Sequence, residues 1–279
     1  MTSHPTAIAV AQFAPGADEA VNLDTIRSLA EDAASRGALL VVFPEYSSYF
    51  TPGLGADWVD HAQSLHGPFV RALAEIAAEL GIHLVAGMIE LVPGQDLTSG
   101  QPERVANTVV AVNAHGEVVA HYRKIHLYDA FGTRESDRIV AGPIWAPEAA
   151  PTFAFGGFTV GLQTCYDIRF PEVTRRLVDA GADLVVLPSE WARGPLKEHH
   201  WRTLVTARAI ENTIYLAAAD HAPPVGAGNS MVVDPMGVEL VTIGESTDVA
   251  VAWISPERVA EVRHLNPALQ LRRFTVEPR

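Results

Sequence analysis

Three residues of this chain have the side chains that covalent hydrolysis needs: a nucleophile, a proton acceptor and a cation. Cys165 is the sole cysteine. It follows the apolar run Phe158–Leu162 and precedes Tyr-Asp-Ile-Arg-Phe-Pro, which sets it at a strand end, where α/β folds place reactive groups. A thiol with an ordinary pKa near ~8.5 needs a base or a positive neighbour to react at neutral pH. A lone cysteine is otherwise an ordinary core residue. Glu45 comes after the apolar run Leu39–Phe43 and Pro44. At the mouth of a buried strand its carboxylate is suited to proton transfer; in water it is a solvated strand end. Lys124 stands in His-Tyr-Arg-Lys-Ile-His-Leu, at the end of a strand signal. Arg123 and Lys124 point to opposite faces of a continuing strand, so one of them turns inward or into a cleft, the alternative being an ordinary exposed lysine.

Other chemistries find less support. His199 and His200 are adjacent, and adjacent helical residues lie ~100° apart, so they do not share one ligand position. No His-Glu-x-x-His pattern occurs, and one cysteine permits neither an intrachain disulfide nor a thiol-rich metal site. No metal or other cofactor is expected. The Gly-x-Gly at Gly226–Gly228 has no following helix and is a weak phosphate-loop signal. A Cys–His peptidase pair, distant in sequence, stays open. Lys plus Arg total 20 against 33 Asp plus Glu, a formal charge of −13, which argues against nucleic-acid or anionic-lipid partners. The N-terminus lacks a basic region followed by an apolar one, and no apolar run approaches the roughly 18 residues of a membrane span. The expected location is cytoplasmic.

The elements that must position these residues alternate. Ala7–Phe13 reads as a buried strand, Asn22–Ser35 as an amphipathic helix ending at Gly37, and Ala38–Phe43 as a second strand. Pro68–Leu80 is a helix, Ile82–Leu91 and Val105–Ala114 are strands, and Leu91–Arg104 is a polar loop. Asn113–Gly116 turns into the strand Glu117–Lys124. Tyr128–Ala150 has no periodicity and is a long surface loop of the kind that often carries function. The second half repeats this grammar: strand Phe158–Gln163, helix Pro171–Ala180, strand Ala182–Leu187, helix Leu196–Asn212, strand Thr213–Ala219, then strands at Asn229–Val233, Val238–Ile243 and Val249–Ile254. Val41-Val-Phe-Pro-Glu45 and Val185-Val-Leu-Pro-Ser-Glu190 look like counterparts. With no Pro/Ser/Gly-rich linker, the expectation is one α/β domain over residues 1–279.

Taken together, and in this order, several segments resemble the nitrilase, or carbon–nitrogen hydrolase, superfamily. Phe43-Pro44-Glu45 is similar to its glutamate motif and Tyr122-Arg-Lys124-Ile-His-Leu127 to its lysine motif. Gly161-Leu-Gln-Thr-Cys165-Tyr-Asp-Ile-Arg-Phe-Pro-Glu172 is similar to its cysteine motif. Ala207–Asn212 and Gly228–Gly237 support the likeness. The resemblance implies a four-layer αββα sandwich and a Glu45–Lys124–Cys165 triad. It also implies a further glutamate after the lysine motif: Glu135 matches best, with Asp137 as the competing assignment. The implied chemistry is thioester hydrolysis of a small aliphatic amide with release of ammonia, Lys124 and the Tyr166 backbone N–H meeting the charge on oxygen. Hydrolysis of N-carbamoyl amino acids or nitriles shares the nucleophile and stays open, as does a non-catalytic binding role.

Substrate residues are read from position. Trp191 follows the second counterpart strand as a pocket wall, and Arg193 is placed to hold a substrate carboxylate by a bidentate pair. Tyr49 and Tyr128 are further pocket candidates. Asp167 and Arg169 are expected to pair with each other or with neighbours to hold the nucleophile turn, Arg208 and Glu211 to pair on their helix, and Asn229 and Ser230 to pin a loop. The resemblance also implies a homodimer, with the tail from Arg263 to Arg279 reaching across its interface.

Overall fold

The computed structural model describes residues 5–53, 56–94 and 103–278. Residues 95–102 of the expected polar loop lie outside the described residues, as do the start of the chain and Arg279. Two sheets of six strands carry the fold. The first contains β1 (Thr6–Gln12), β2 (Leu40–Val42), β3 (His83–Glu90), β4 (Ala106–Val112), β5 (Val118–Arg123) and β12 (Asp248–Ile254), in the order β12-β1-β2-β3-β4-β5. The second contains β6 (Thr152–Phe155), β7 (Phe158–Leu162), β8 (Leu184–Ser189), β9 (Tyr215–Asp220), β10 (Met231–Val233) and β11 (Glu239–Thr242), in the order β11-β10-β9-β8-β7-β6.

Strand alternation builds four layers. In β1, Ile8 and Val10 face the second sheet and pack with Leu162, Val186, Ala217 and Val232. Ala9 and Ala11 face the other way, against Ile26 of α1 (Glu19–Ser35) and Leu73 and Ile76 of α2 (Pro68–Leu80). The second sheet repeats the scheme: Val185, Leu187 and Leu216 pack under Leu177 of α3 (Pro171–Asp179) and Trp201 and Val205 of α4 (Lys197–Asn212). Both faces of each central strand are therefore dry, which is why these strands read as continuous apolar runs. The result is the αββα sandwich expected above.

Local signals place the helix ends. Asp18 caps α1 by accepting from the Ala20 and Val21 N–H groups, and Gly81 ends α2 in the left-handed region at φ 67°. Two elements escape the sequence reading. β6 is a four-residue edge strand between the loop read to Ala150 and the strand read from Phe158, and α5 (Pro256–Leu265) buries just Val259 and Val262. Neither has enough apolar periodicity to stand out. The long loop after β5 holds short 3₁₀ turns at Glu135–Asp137 and Pro147–Ala149.

Each sheet has a parallel trio, β1-β2-β3 and β9-β8-β7. β2 and β8 are the middle strands of these trios. Their carboxyl ends deliver Glu45 and Glu190, the final residues of the two counterpart segments. Binding groups in α/β sheets gather at such strand ends.

The chain leaving β2 crosses β3 at Gly87, whose N–H donates to the Pro44 carbonyl at 3.0 Å. A Cβ on Gly87 would lie 2.5 Å from the Glu45 Cα. Gly87→Ala must therefore push the Glu45 segment away. The expected cost is roughly 1–3 kcal/mol in urea unfolding, with a larger proportional loss of hydrolysis; an unchanged midpoint and rate would show that the segment yields freely.

Candidate active site

Cys165 opens a 3₁₀ turn, Cys165–Arg169, directly after β7 and Gln163-Thr164. Its φ of 45° is unusual for a residue with a side chain, and Tyr46, next to Glu45, has a φ of 56°. The turn is closed by a capping box in which Thr164 and Asp167 exchange side-chain and backbone bonds. Asp167 is fully buried and also accepts from the Tyr122 hydroxyl at 2.7 Å and the His126 N–H at 3.2 Å. It thus pairs with neighbours, one of the two arrangements expected from the sequence, rather than with Arg169, whose guanidinium lies 4.8 Å from the Trp191 ring centroid. Arg208 and Glu211 do pair, at 3.1 Å. Ser230 ties to Gln12 and to the Asp220 N–H, and Asn229 to the Ala227 carbonyl.

Lys124 is the centre of the arrangement. It follows β5, is 2% exposed, and sits 3.0 Å from Oε1 of both Glu45 and Glu135. Arg123, on the opposite face, pairs with Glu90. Asn107 of β4 donates to the same two carboxylates, at 2.6 Å and 3.1 Å. The Tyr46 hydroxyl and the Tyr128 N–H also donate to Glu135. Asp137, the competing assignment, is an exposed partner of Arg134, because its side chain leaves the 3₁₀ turn on the solvent side. Glu45 Oε2 accepts from the Glu190 N–H at 2.6 Å, and the Cys165 thiol faces the Glu190 carbonyl at 3.4 Å.

These groups perturb one another. Burial pulls the Lys124 ammonium down, but Glu135 and Glu45 outweigh it and hold its pKa well above the usual lysine range. Burial raises the Glu45 carboxyl, with Lys124 opposing. Burial and the Glu45 charge push the Cys165 thiol well up. The resting thiol is thus protonated and stands near a carboxylate of raised basicity.

One cavity of about 200 Å³ is lined by Glu45, Lys124, Glu135 and Cys165 together with Tyr128, Tyr166, Glu190, Trp191 and Lys197. Two candidates lie elsewhere. The Tyr49 hydroxyl is bound to Asp57 and its ring stacks on His61 at 3.9 Å, so it packs beneath the neighbouring loop. Arg193 points away to Glu245 and Glu198, acidic partners that draw it to the surface. Besides Lys124, the cations near the cavity are Lys197 and Arg169. Lys197 Nζ meets the Tyr128 hydroxyl at 2.9 Å and lies 4.2 Å from the Phe131 centroid. Neither cation forms an ion pair with a carboxylate among the described residues, and the buried Arg169 Nε has no partner. Sequence reasoning missed Asn107, Tyr46, Lys197, Glu190 and His221. An asparagine inside the apolar run of β4 was a readable signal; Lys197, in a polar helix start, offered none.

His221 follows β9 and donates from Nε2 to the Glu45 carbonyl at 2.6 Å, steadying the peptide before the strained Tyr46.

Residues 7–264 match the carbon-nitrogen hydrolase family, and the chain belongs to it. It is an amidase-type enzyme of the nitrilase superfamily, acting on C–N bonds other than peptide bonds. Among its relatives is the deaminated glutathione amidase of Escherichia coli O157:H7, 39% identical over 96% of this chain and 97% of that protein. The human protein of the same name is 32% identical over 95% and 82%. Of solved structures, a mutant amidase of Nesterenkonia AN1 superposes with a TM-score of 0.75 at 29% identity, covering 97% of this chain and 98% of that one. The C. elegans NITFHIT protein reaches 0.83 at 28% identity, covering 99% and 68%. No described helix is long and apolar enough to cross a membrane.

Burial lowers the His221 pKa to about 4. With its folded value below the unfolded one, the neutral ring contributes stability above about pH 6.5 that is lost as the pH falls toward 4. Urea unfolding at pH 7 and pH 5 is expected to show wild-type protein losing about 2 kcal/mol more than His221→Gln across that interval; equal losses would refute a buried neutral ring.

Proposed function

We propose that this enzyme hydrolyses the amide bond of a small, carboxylate-bearing acid amide through a thioester on Cys165. The reading is carried by one observation: the thiol, the Glu45 carboxylate and the ion-paired Lys124 line a single cavity. Glu45 takes the Sγ proton as sulfur bonds to the amide carbon. Negative charge grows on the carbonyl oxygen, met by the Lys124 ammonium and the Tyr166 N–H. The first N–H groups of a helical turn have no acceptor within that turn, which leaves the one after Cys165 free for this task. The C–N bond then breaks and the amine departs with the proton held by Glu45. Water attacks the thioester as Glu45 accepts its proton; the C–S bond breaks, Glu45 returns the proton to the sulfur and the acid leaves. Glu135 acts by keeping Lys124 charged and placed.

The acyl chain takes its carboxylate to Lys197 and Arg169. Lys197 is buried and Arg169 half-buried, neither has an acidic partner among the described residues, and an anion between them relieves their mutual repulsion. Aromatic rings of Tyr128 and Trp191 line the intervening wall. The relatives named for deaminated glutathione accord with this, since the acyl chain of that compound ends in a free carboxylate. The enzyme is further proposed to be a cytoplasmic homodimer, joined through the tail after α5. Leu271 is 70% and Phe274 89% exposed there, as unpartnered as an interface residue is before assembly; light scattering showing a strict monomer at micromolar concentration would remove this part.

Deaminated glutathione is expected to be hydrolysed with release of an amine, and Cys165→Ala to lower the rate at least ~1000-fold. Turnover by Cys165→Ala at the wild-type rate would eliminate the mechanism. Lys197→Met is expected to raise KM for acid amides about tenfold or more while kcat changes less, and to leave neutral amides such as propionamide little affected. Equal losses on both substrates would take the carboxylate anchor out of the reading.

A further inference from the structure

The parallel ladder between β8 and β9 ends irregularly. Ser189 and Asp220 are its last pair, and the His221 N–H donates to the Ser189 carbonyl at 3.2 Å. A regular ladder would continue with the Trp191 N–H on the His221 carbonyl. That carbonyl accepts from the Gly228 N–H instead, at 3.0 Å, and the Trp191 N–H donates to the Asp220 side chain, Oδ1 at 2.6 Å. Asp220 is fully buried, and its Oδ2 has no partner among the described residues. A desolvated carboxyl with an unpartnered oxygen costs stability, so stability does not account for this residue. The Trp191 N–H and the Glu190 carbonyl belong to one planar peptide unit and point in opposite directions. Holding the N–H therefore aims the carbonyl, which is the group that accepts from the Cys165 thiol at 3.4 Å. The Glu190 N–H, one peptide earlier, holds Glu45 Oε2. Base and nucleophile are thus both referenced to the segment that Asp220 anchors.

We propose that Asp220 is a positioning residue for the nucleophile: its side chain clamps the Glu190–Trp191 peptide so that the Glu190 carbonyl orients the Cys165 sulfur for attack. In the resting enzyme the carbonyl accepts from the thiol and fixes its direction. Once Glu45 has taken the proton, the same oxygen faces a thiolate, and the repulsion between them turns the sulfur toward the amide carbon. The bond from the Trp191 N–H polarises the peptide and makes its carbonyl oxygen more negative, which strengthens both effects. Burial pushes the Asp220 carboxyl well up, so the group works as a neutral acceptor through Oδ1, and an asparagine oxygen can take over that task. This inference rests on Cys165 as the nucleophile of the mechanism above and not on which amide is cleaved.

The test compares Asp220→Ala, Asp220→Asn and Val262→Ala, the last a loss of buried volume on α5 that controls for destabilisation. Two readouts are taken: kcat and KM on deaminated glutathione, and the rate at which iodoacetamide alkylates Cys165, followed by mass spectrometry. Asp220→Ala is expected to lower kcat about 30-fold or more while KM changes less than about threefold, and to slow alkylation at least about tenfold. Asp220→Asn is expected to stay within about threefold of wild type in both readouts. Val262→Ala is expected to do the same although its urea midpoint falls. Should Asp220→Ala not fold, Asp220→Ser, whose shorter side chain does not reach the Trp191 N–H, carries the same expectations. Wild-type alkylation and kcat without an acceptor at position 220, or equal losses in Asp220→Asn and Asp220→Ala, overturns the role of Asp220. A Cys165 that resists iodoacetamide in the wild-type protein removes the nucleophile and this proposal with it. If deaminated glutathione is not hydrolysed, the substrate reading alone fails, and the alkylation rates still decide for or against Asp220.

Discussion

The ammonium of Lys124 is taken out of water and set between two carboxylates, and much of the central architecture answers to that choice. Desolvating an ion costs several kcal/mol even after relaxation, and the cost is met only when partners are close and their remaining lone pairs are occupied. Here Glu45 and Glu135 both lie 3.0 Å from the nitrogen. Asn107, Tyr46, the Glu190 N–H and the Tyr128 N–H take up the other carboxylate positions. These partners come from the ends of β2, β5 and β8, from the start of β4 and from the loop after β5. An error in any of them leaves a buried charge uncompensated, so the ion cluster demands an accurate frame. In return it provides a fixed positive field where charge develops on a substrate oxygen.

The frame has an approximate internal symmetry. The middle strands of the two parallel trios end in glutamates, and these meet across the sandwich through the Glu190 N–H and the Glu45 carboxylate. The halves have diverged in use. Glu45 is ion-paired and basic; Glu190 gives its backbone to the cluster and its side chain to the cavity. The nucleophile belongs to the second sheet and the cation to the first, so the cleft is the place where the sheets face each other at their strand ends.

Much of this was legible in the residues themselves, for physical reasons. Helices with caps and clear periodicity, such as Pro68–Leu80, read to the residue, and buried strands announced themselves by unbroken Val, Leu and Ala. β6 and α5 did not, since an edge strand of four residues and a helix burying two valines carry little periodic information. In the cavity, Glu45, Lys124, Glu135 and Cys165 sit in recognisable local patterns. Lys197 and Glu190 come to the cavity through tertiary placement, and nothing in their neighbours announces it. Arg193 shows the converse: a plausible arginine, two residues from a wall of the cavity, was drawn outward by Glu245 and Glu198.

The contact between the two sheets has one more effect. Val186 and Leu40, far from any solvent, set how far apart the sheets stand and therefore how the sulfur on one meets the carboxylate on the other. Interior methyl groups that touch no ligand become rate determinants, acting through spacing alone. Turnover in this enzyme is in that sense a gauge of how well its hydrophobic interlayer is filled.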